Sequence, residues 1–385
     1  MPHSPRLSER VADLHGSPIR AMLDVALRPE VISFAGGLPA PESFADLALP
    51  TPPMELLQYG PTEGEPDLRA RVAQDLADLG LDCEPDRVLI LSGSQQGIDL
   101  AAKLFIDRAT PVAVESPAYL AALQVFRFFG ARLRVLERSD PGADWTGSDR
   151  PSLAYVTPTF QNPTGHCWTA GERQALADAC DQGGVVMFED DPYRDLSYEP
   201  CERRPVCAGL KRASWIYQGS FSKTVAPGLR LGFLTASPDL FPHLSRLKQA
   251  ADLHANRISQ WTVLQYLNDP GRPARVERIV AAYRAKRDRF AAAMTLHLGE
   301  MAHWRTPPGG LFFWATLTGG TDAQGLLERA LERGVLFTPG EHFLVEPGDR
   351  RSMRLNFSHA DAGTAERGLA VLGDLLREDV PSAAA

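Results

Sequence analysis

The sequence predicts an α/β protein, with a large domain around a mostly parallel seven-stranded sheet and a smaller α+β domain after it. Three observations carry this expectation. Between residues 86 and 236 short apolar runs alternate with amphipathic ones, the pattern of buried strands joined by helices that cover both faces of a sheet. After about residue 262 that alternation gives way to one long helical stretch and a few strand-like runs. A chain of 385 residues, 44% apolar and 23% charged, suits two globular domains of unequal size. The expected division is an N-terminal arm over 1–45 packing with the smaller domain, the large domain over 46–262 and the small domain over 263–385.

Taken in order, DRVLIL (86–91) reads as a buried strand, followed by the turn SGSQQG and the amphipathic IDLAAKLFID. PVAVE (111–115) is the second strand, and YLAALQVFRFF is helical until Gly130. RLRVLE (132–137) and LAYVTP (153–158) are the third and fourth strands. TAGERQALADAC opens with a capping box, Thr169 and Glu172, and stops at Gly183–Gly184. VVMFED (185–190), WIYQG (215–219) and RLGFLTA (230–236) complete the sheet. Further on, RVERIVAAYRAKRDRFAAAMTLHL reads as a long helix, GGLFFWATL and SMRLNFSH as strands, and AERGLAVLGDLLRE as an amphipathic helix. GGTDAQG (319–325) reads as a loop and the terminal AAA as a frayed end.

The bulk numbers exclude several classes. A net charge of −8 without a Lys/Arg block gives nucleic-acid binding no support. No apolar run reaches the roughly 20 residues that span a bilayer, and the N-terminus lacks the apolar segment of an export signal. Cys83, Cys167, Cys180, Cys201 and Cys207 include no CxxC pair, and the histidines show no paired-ligand spacing. Reduced thiols in a cytoplasmic protein, with no metal, are the expectation.

Parallel sheets bind ligands at the carboxyl ends of their strands, so those loops carry the chemistry. After the first strand, Ser94 and Gln95 sit in a turn of small residues opening a helix, where backbone N–H groups can meet an anion. The motif is neither GxGxxG nor a Walker A loop. After the second strand Tyr119 can stack on a planar ring, or simply cover a helix N-terminus. After the fourth, Asn162 precedes Pro163 in a turn, and a cis bond is expected between them. The fifth ends in Glu189-Asp190-Asp191-Pro192-Tyr193, where a buried acid needs a partner; a protonated ring nitrogen is one, a helix N-cap or a metal are others.

Between the sixth and seventh strands QGSFSKTVAPGLRLGF brings together Ser220, Ser222, Lys223 and Arg230. Hydroxyls with an arginine suit a phosphate. Only five of the 40 basic residues are lysine, and a primary amine can condense with a carbonyl where a guanidinium cannot. Anion loop, aromatic, turn amide, acid and lysine thus fall at successive strand ends of one sheet.

SGSQQG, ESPAYL, PTFQNPTG, EDDPYR and GSFSKTVAPGLRLGF together resemble the pyridoxal-5′-phosphate aminotransferases of fold type I, classes I and II. The similarity runs from GSPIR (16–20) to MRLNFSH (353–359) and is strongest to the branch of 2-aminoadipate and kynurenine aminotransferases. The resemblance implies that Lys223 forms an imine with the cofactor aldehyde and then moves the substrate's Cα proton. Asp190 would pair with the ring nitrogen, Tyr193 and Asn162 with the ring hydroxyl, and Tyr119 would stack on the ring. Ser94, Gln95, Ser220, Ser222 and Arg230 would hold the phosphate. It also implies that Arg354 grips the substrate carboxylate and that Gly37 lies against the substrate. Ser17 and Arg20 would border its side chain, Arg20 pairing with a distal carboxylate or swinging away. Tyr59 would reach the phosphate of a neighbouring subunit, making the unit a homodimer with shared sites.

The implied activity is transamination between an L-amino acid (2-aminoadipate, glutamate, aromatic or branched-chain) and a 2-oxo acid such as 2-oxoglutarate. Lyase, decarboxylase or cyclase chemistry on the same cofactor is the alternative. A ligand-sensing regulator with an aminotransferase-like domain is the weaker expectation, since the resemblance begins within the first 20 residues and leaves no room for a winged-helix module.

Overall fold

In the computed structural model, residues 7–12, 25, 26, 28–44, 50–143, 145 and 147–379 are described. Helix α1 (Pro66–Ala77) leads into β1 (Val88–Leu91), α2 (Ser94–Phe105), β2 (Pro111–Val114), α3 (Leu120–Phe128), β3 (Arg132–Val135) and β4 (Leu153–Val156). Then come α4 (Ala170–Gly183), β5 (Val186–Asp191), β6 (Trp215–Ser220), β7 (Gly232–Ala236), α5 (Phe241–Asp252), α6 (Arg257–Asn268) and α7 (Arg272–His297). The chain ends with β8 (Ala302–Trp304), β9 (Phe312–Leu317), α8 (Ala323–Glu332), β10 (Thr338–Pro339), β11 (Ser352–Asn356) and α9 (Ala362–Asp379).

Seven strands form one sheet in the order β1-β7-β6-β5-β4-β2-β3. The apolar runs explain its burial: Leu89, Val112, Tyr155, Phe188 and Ile216 enter a core on one face, and Val88, Ala113, Ala154, Met187 and Tyr217 a core on the other. All neighbours are parallel except β7, which is antiparallel to both β1 and β6. Only short turns separate β6 from β7, and a parallel return needs a longer crossover, usually a helix. The loop holding Lys223 therefore stays at the carboxyl end of β6. Gly232 starts β7 because backbone crowds it: a Cβ there would lie 2.9 Å from both the Gly219 carbonyl oxygen and the Ser94 amide nitrogen.

The capping box of α4 forms as the sequence implies, Thr169 accepting from Glu172 N–H, and Gly184 closes the helix in a left-handed conformation. GGTDAQG is only partly a loop. Asp322 Oδ1 accepts from Gln324 N–H at 3.3 Å, so this Asp caps α8 and the helix begins at Ala323.

A four-stranded antiparallel sheet, β10-β11-β9-β8, makes the second layer. Phe313 on β9 stacks on Phe290 of α7 at 5.5 Å and meets Phe357 edge-on at 5.6 Å. The arm joins this core: Ile32–Ser33 pairs in parallel with Val335–Leu336, and the Phe34 carbonyl accepts from Asn356 N–H at 2.8 Å. Phe34 then packs edge-on against Phe290 at 5.3 Å. No described helix is long and apolar enough to cross a membrane. Because Phe313 is fully buried between two rings, Phe313→Ala is expected to cost about 3–5 kcal/mol, read as a lower denaturant midpoint with an unchanged slope.

Candidate active site

Strand alternation sorts the three acids of β5. Glu189 and Asp191 point to one face, where arginines meet them: Arg173 lies 3.8 Å from Glu189 and Arg194 lies 2.7 Å from Asp191. Asp190 points to the other face, 3% exposed, and accepts from the Tyr155 hydroxyl at 2.7 Å. Its Oδ1 makes no hydrogen bond, and no cation pairs with it among the described residues. Burial pushes its carboxyl up to about 6, the Tyr155 hydroxyl and nearby Gln218 amide opposing and Asp191 adding to the rise.

Lys223 leaves the β6–β7 loop and its Nζ donates to the Gly37 carbonyl at 2.9 Å, 5.8 Å from the centre of the Tyr193 ring. No carboxylate pairs with it among the described residues. Burial, then the charges of Arg354 and Arg230, push the amine down to about 8, so roughly a tenth of it is neutral at pH 7, far more than for an ordinary lysine.

The Tyr193 hydroxyl accepts from Asn162 Nδ2 at 3.4 Å, and burial raises its pKa. Asn162–Pro163 is cis, as expected, and so is Ser116–Pro117. Asn162 Oδ1 in turn accepts from Arg354 Nη1 at 2.9 Å. Arg354, on β11 and 2% exposed, also bonds the Ala35 carbonyl and reaches Thr338 Oγ1 at 3.5 Å. Its guanidinium carbon sits 4.4 Å from the Phe312 ring centre and 4.8 Å from that of Phe343. No acid pairs with it among the described residues, its Nε is unbonded, and burial lowers its pKa to about 10 against the pull of Tyr193 and Tyr119.

The remaining expected residues gather around the start of α2. That helix opens at Ser94 after Gly93, whose φ of +85° suits glycine, and no side chain caps it. A Cβ on Gly93 would lie 2.6 Å from Arg230 Nη2, so the guanidinium abuts the uncapped end. Arg230 itself is left-handed, φ 50°. Ser220 is the register partner of Gly232, and its Oγ accepts from Ser222 N–H at 3.2 Å. The Tyr119 hydroxyl reaches Gln95 Oε1 at 3.5 Å.

Tyr59 stands apart. It is 77% exposed, and its ring meets His254 edge-on at 5.9 Å. Ser17 and Arg20 lie outside the described residues.

Residues 52–372 match the family described as aminotransferase class I and II. The chain belongs to that family. Among relatives, the 2-aminoadipate transaminase of Thermus thermophilus is 36% identical, the match covering 94% of each chain. The aromatic-amino-acid aminotransferase 1 of Thermococcus litoralis is 32% identical over 97% of this chain and 94% of its own. The crystal structure of LysN, the α-aminoadipate aminotransferase of Thermus thermophilus complexed with N-(5′-phosphopyridoxyl)-L-leucine, superposes with a TM-score of 0.86. It is 34% identical, with 97% of each chain covered. The fold of this aminotransferase is therefore that of the fold-type I enzymes.

Four contributors escaped the sequence reading: Tyr155, Thr338, the Ala35 carbonyl and the aromatic pair Phe312 and Phe343. Tyr155 had a signal, since it faces the same side of the sheet as Asp190 from the neighbouring strand.

The raised Asp190 pKa has a defined effect on stability. Folded protein keeps this proton at pH values where unfolded chain has lost it, so the group's contribution is largest below about pH 4 and falls as pH rises through about 6. In ligand-free aminotransferase, Asp190→Asn is expected to raise the denaturant midpoint near pH 8, by a gain of at most about 3 kcal/mol, and to leave it unchanged near pH 4. A gain equal at both pH values would contradict the desolvated carboxyl.

Proposed function

We propose that this aminotransferase holds pyridoxal 5′-phosphate at Lys223 and exchanges amino groups between an L-amino acid and a 2-oxo acid, with glutamate and 2-oxoglutarate as the common pair. The observation that carries the reading is an amine whose pKa is lowered to about 8, in a cleft where, among the described residues, a buried acid lacks a cation and a buried guanidinium lacks an acid. The residues fit the cofactor. Asp190 offers the orphaned Oδ1 to a ring N–H, while Ser94, Gln95, Ser220, Ser222 and Arg230 ring an uncapped helix start suited to a phosphate. Tyr193 and Asn162 can bond the ring hydroxyl, and Tyr119 can cover the ring face.

When bound, the cofactor supplies an aldehyde that condenses with amines and a conjugated ring that accepts an electron pair from the substrate's Cα. The chain's own contributions are separable. Arg354 orients the α-carboxylate by a forked, charge-assisted pair, replacing part of its contact with backbone and Asn162. Asp190 would keep the ring nitrogen protonated through its unpartnered Oδ1. Lys223, with a pKa near 8, would take the proton from the substrate's Cα and return it two atoms along, at the carbon that had been the cofactor's aldehyde. Gly37 keeps the substrate side close to the Lys223 amine.

The finer statements belong to the same reading. Exposed Tyr59, Met54 and Leu57 support a homodimer in which Tyr59 serves the partner's phosphate. The five free cysteines support a reducing, cytoplasmic setting. The break between the two sheets supports domains divided near residue 262, with the 1–45 arm lying on the smaller one. The names of the relatives support 2-aminoadipate, aromatic or branched-chain donors beside glutamate, with Ser17 and Arg20 near the substrate side chain.

Mixing holoenzyme with glutamate is expected to convert the cofactor to its amine form and release 2-oxoglutarate. Release of ammonia or CO2 instead assigns lyase or decarboxylase chemistry. Lys223→Ala should abolish turnover yet still bind cofactor reversibly, followed by equilibrium dialysis. Arg354→Ala should lower kcat/KM by about 100-fold for every amino acid, whereas Arg20→Ala should penalise only acidic donors in the same screen.

A further inference from the structure

Cys167 and Cys201 lie outside the Lys223 site, on two loops that converge. Cys167 is in the turn that follows β4 and Asn162, and Cys201 is in the loop that follows β5 and Tyr193. One guanidinium nitrogen ties the loops together: Arg173 Nη2 is 3.8 Å from Cys167 Sγ and 3.0 Å from the Glu202 carbonyl. Cys167 Sγ donates to that same carbonyl at 3.1 Å, and Cys201 Sγ lies 3.7 Å from Ser197 Oγ. Both cysteines keep part of their surface in water, while Cys83, Cys180 and Cys207 are buried. Cys167 also lines a cavity of about 620 Å³ with His166, Gly165, Arg305 and Pro307.

The two thiols are chemically unequal. Cys201 is pulled down to about 6, first by the adjacent Cys167 thiol and then by Ser197, Arg203 and Arg173, against its burial. Cys167 is raised by the Cys201 thiol and by burial. One sulfur is thus an accessible nucleophile and its neighbour keeps a proton to give.

We propose that Cys167 and Cys201 form a reactive dithiol, a modification site that a small hydroperoxide oxidises to an intramolecular disulfide. The Cys201 thiolate attacks the terminal peroxide oxygen, the O–O bond breaks, and the departing alkoxide takes a proton from solvent, leaving a sulfenic acid. Cys167 sulfur then attacks Cys201 sulfur, and the S–S bond forms as hydroxide leaves with the Cys167 proton, as water. Two thiols lose two electrons; ROOH becomes ROH and water.

The test uses the holoenzyme and hydrogen peroxide in modest excess, followed by alkylation, digestion and peptide mass mapping. The expected product is a peptide pair linked through Cys167 and Cys201, two hydrogens lighter, with Cys83, Cys180 and Cys207 still alkylated after unfolding. Cys167→Ser should leave a Cys201 sulfenic acid that dimedone captures. Cys201→Ser should slow peroxide consumption at least about tenfold. The proposal is overturned if wild-type protein yields no linked peptide, or if Cys201 reacts no faster than the buried cysteines.

Discussion

A buried carboxylate, Asp190, and a buried guanidinium, Arg354, share one cleft without pairing, and the placement of both sheets is what keeps them unpaired. In a low-dielectric setting the two would gain most by meeting. Each is instead built into a strand of a different sheet, Asp190 at the end of β5 and Arg354 in the middle of β11. Leaving an isolated charge in the interior costs several kcal/mol. That cost is carried by the apolar cores on both faces of the large sheet and behind the small one. A ligand carrying one cationic and one anionic group relieves both charges together, which ties affinity for such a molecule to the fold's own instability.

The environment of Arg354 shows how a cation is stabilised without being neutralised. Two aromatic faces, one backbone carbonyl and one side-chain amide oxygen surround it, all attractive and none carrying a formal charge. The same logic appears in reverse at Asp190, where a tyrosine hydroxyl donates a proton's share and no more. Contrast the neighbours: Glu189 and Asp191, one residue either way, are matched with arginines and serve the fold.

Much of this was legible in the sequence, because the chemistry-bearing residues occur at successive strand ends and strands are written as apolar runs. Arg354 meets Asn162 directly, and its charge reaches Lys223, while Asp190 and Arg354 both act on Tyr119. What escaped has physical reasons. A backbone carbonyl such as that of Ala35 has no signature in residue type. Thr338 acts from a two-residue strand whose pairing depends on register. Helix α5 carries only a short apolar stripe, Phe241, Leu244 and Leu247, and buries the polar Lys248 beside it. In GGTDAQG the glycines looked like a loop and hid the cap at Asp322. The reversed direction of β7 was equally silent, since both orientations of a buried strand carry the same apolar run.

That reversal has a consequence for the amine. Ser220 and Gly232 are register partners, so the ladder clamps both ends of the Lys223 loop side by side. The loop's closure entropy is thereby spent during folding, and none is left to lose when a ligand arrives. A helical crossover of the kind that joins β4 to β5 would hang the same lysine on a longer tether. Its amine would then sample many positions, and each encounter with a carbonyl would begin with a search.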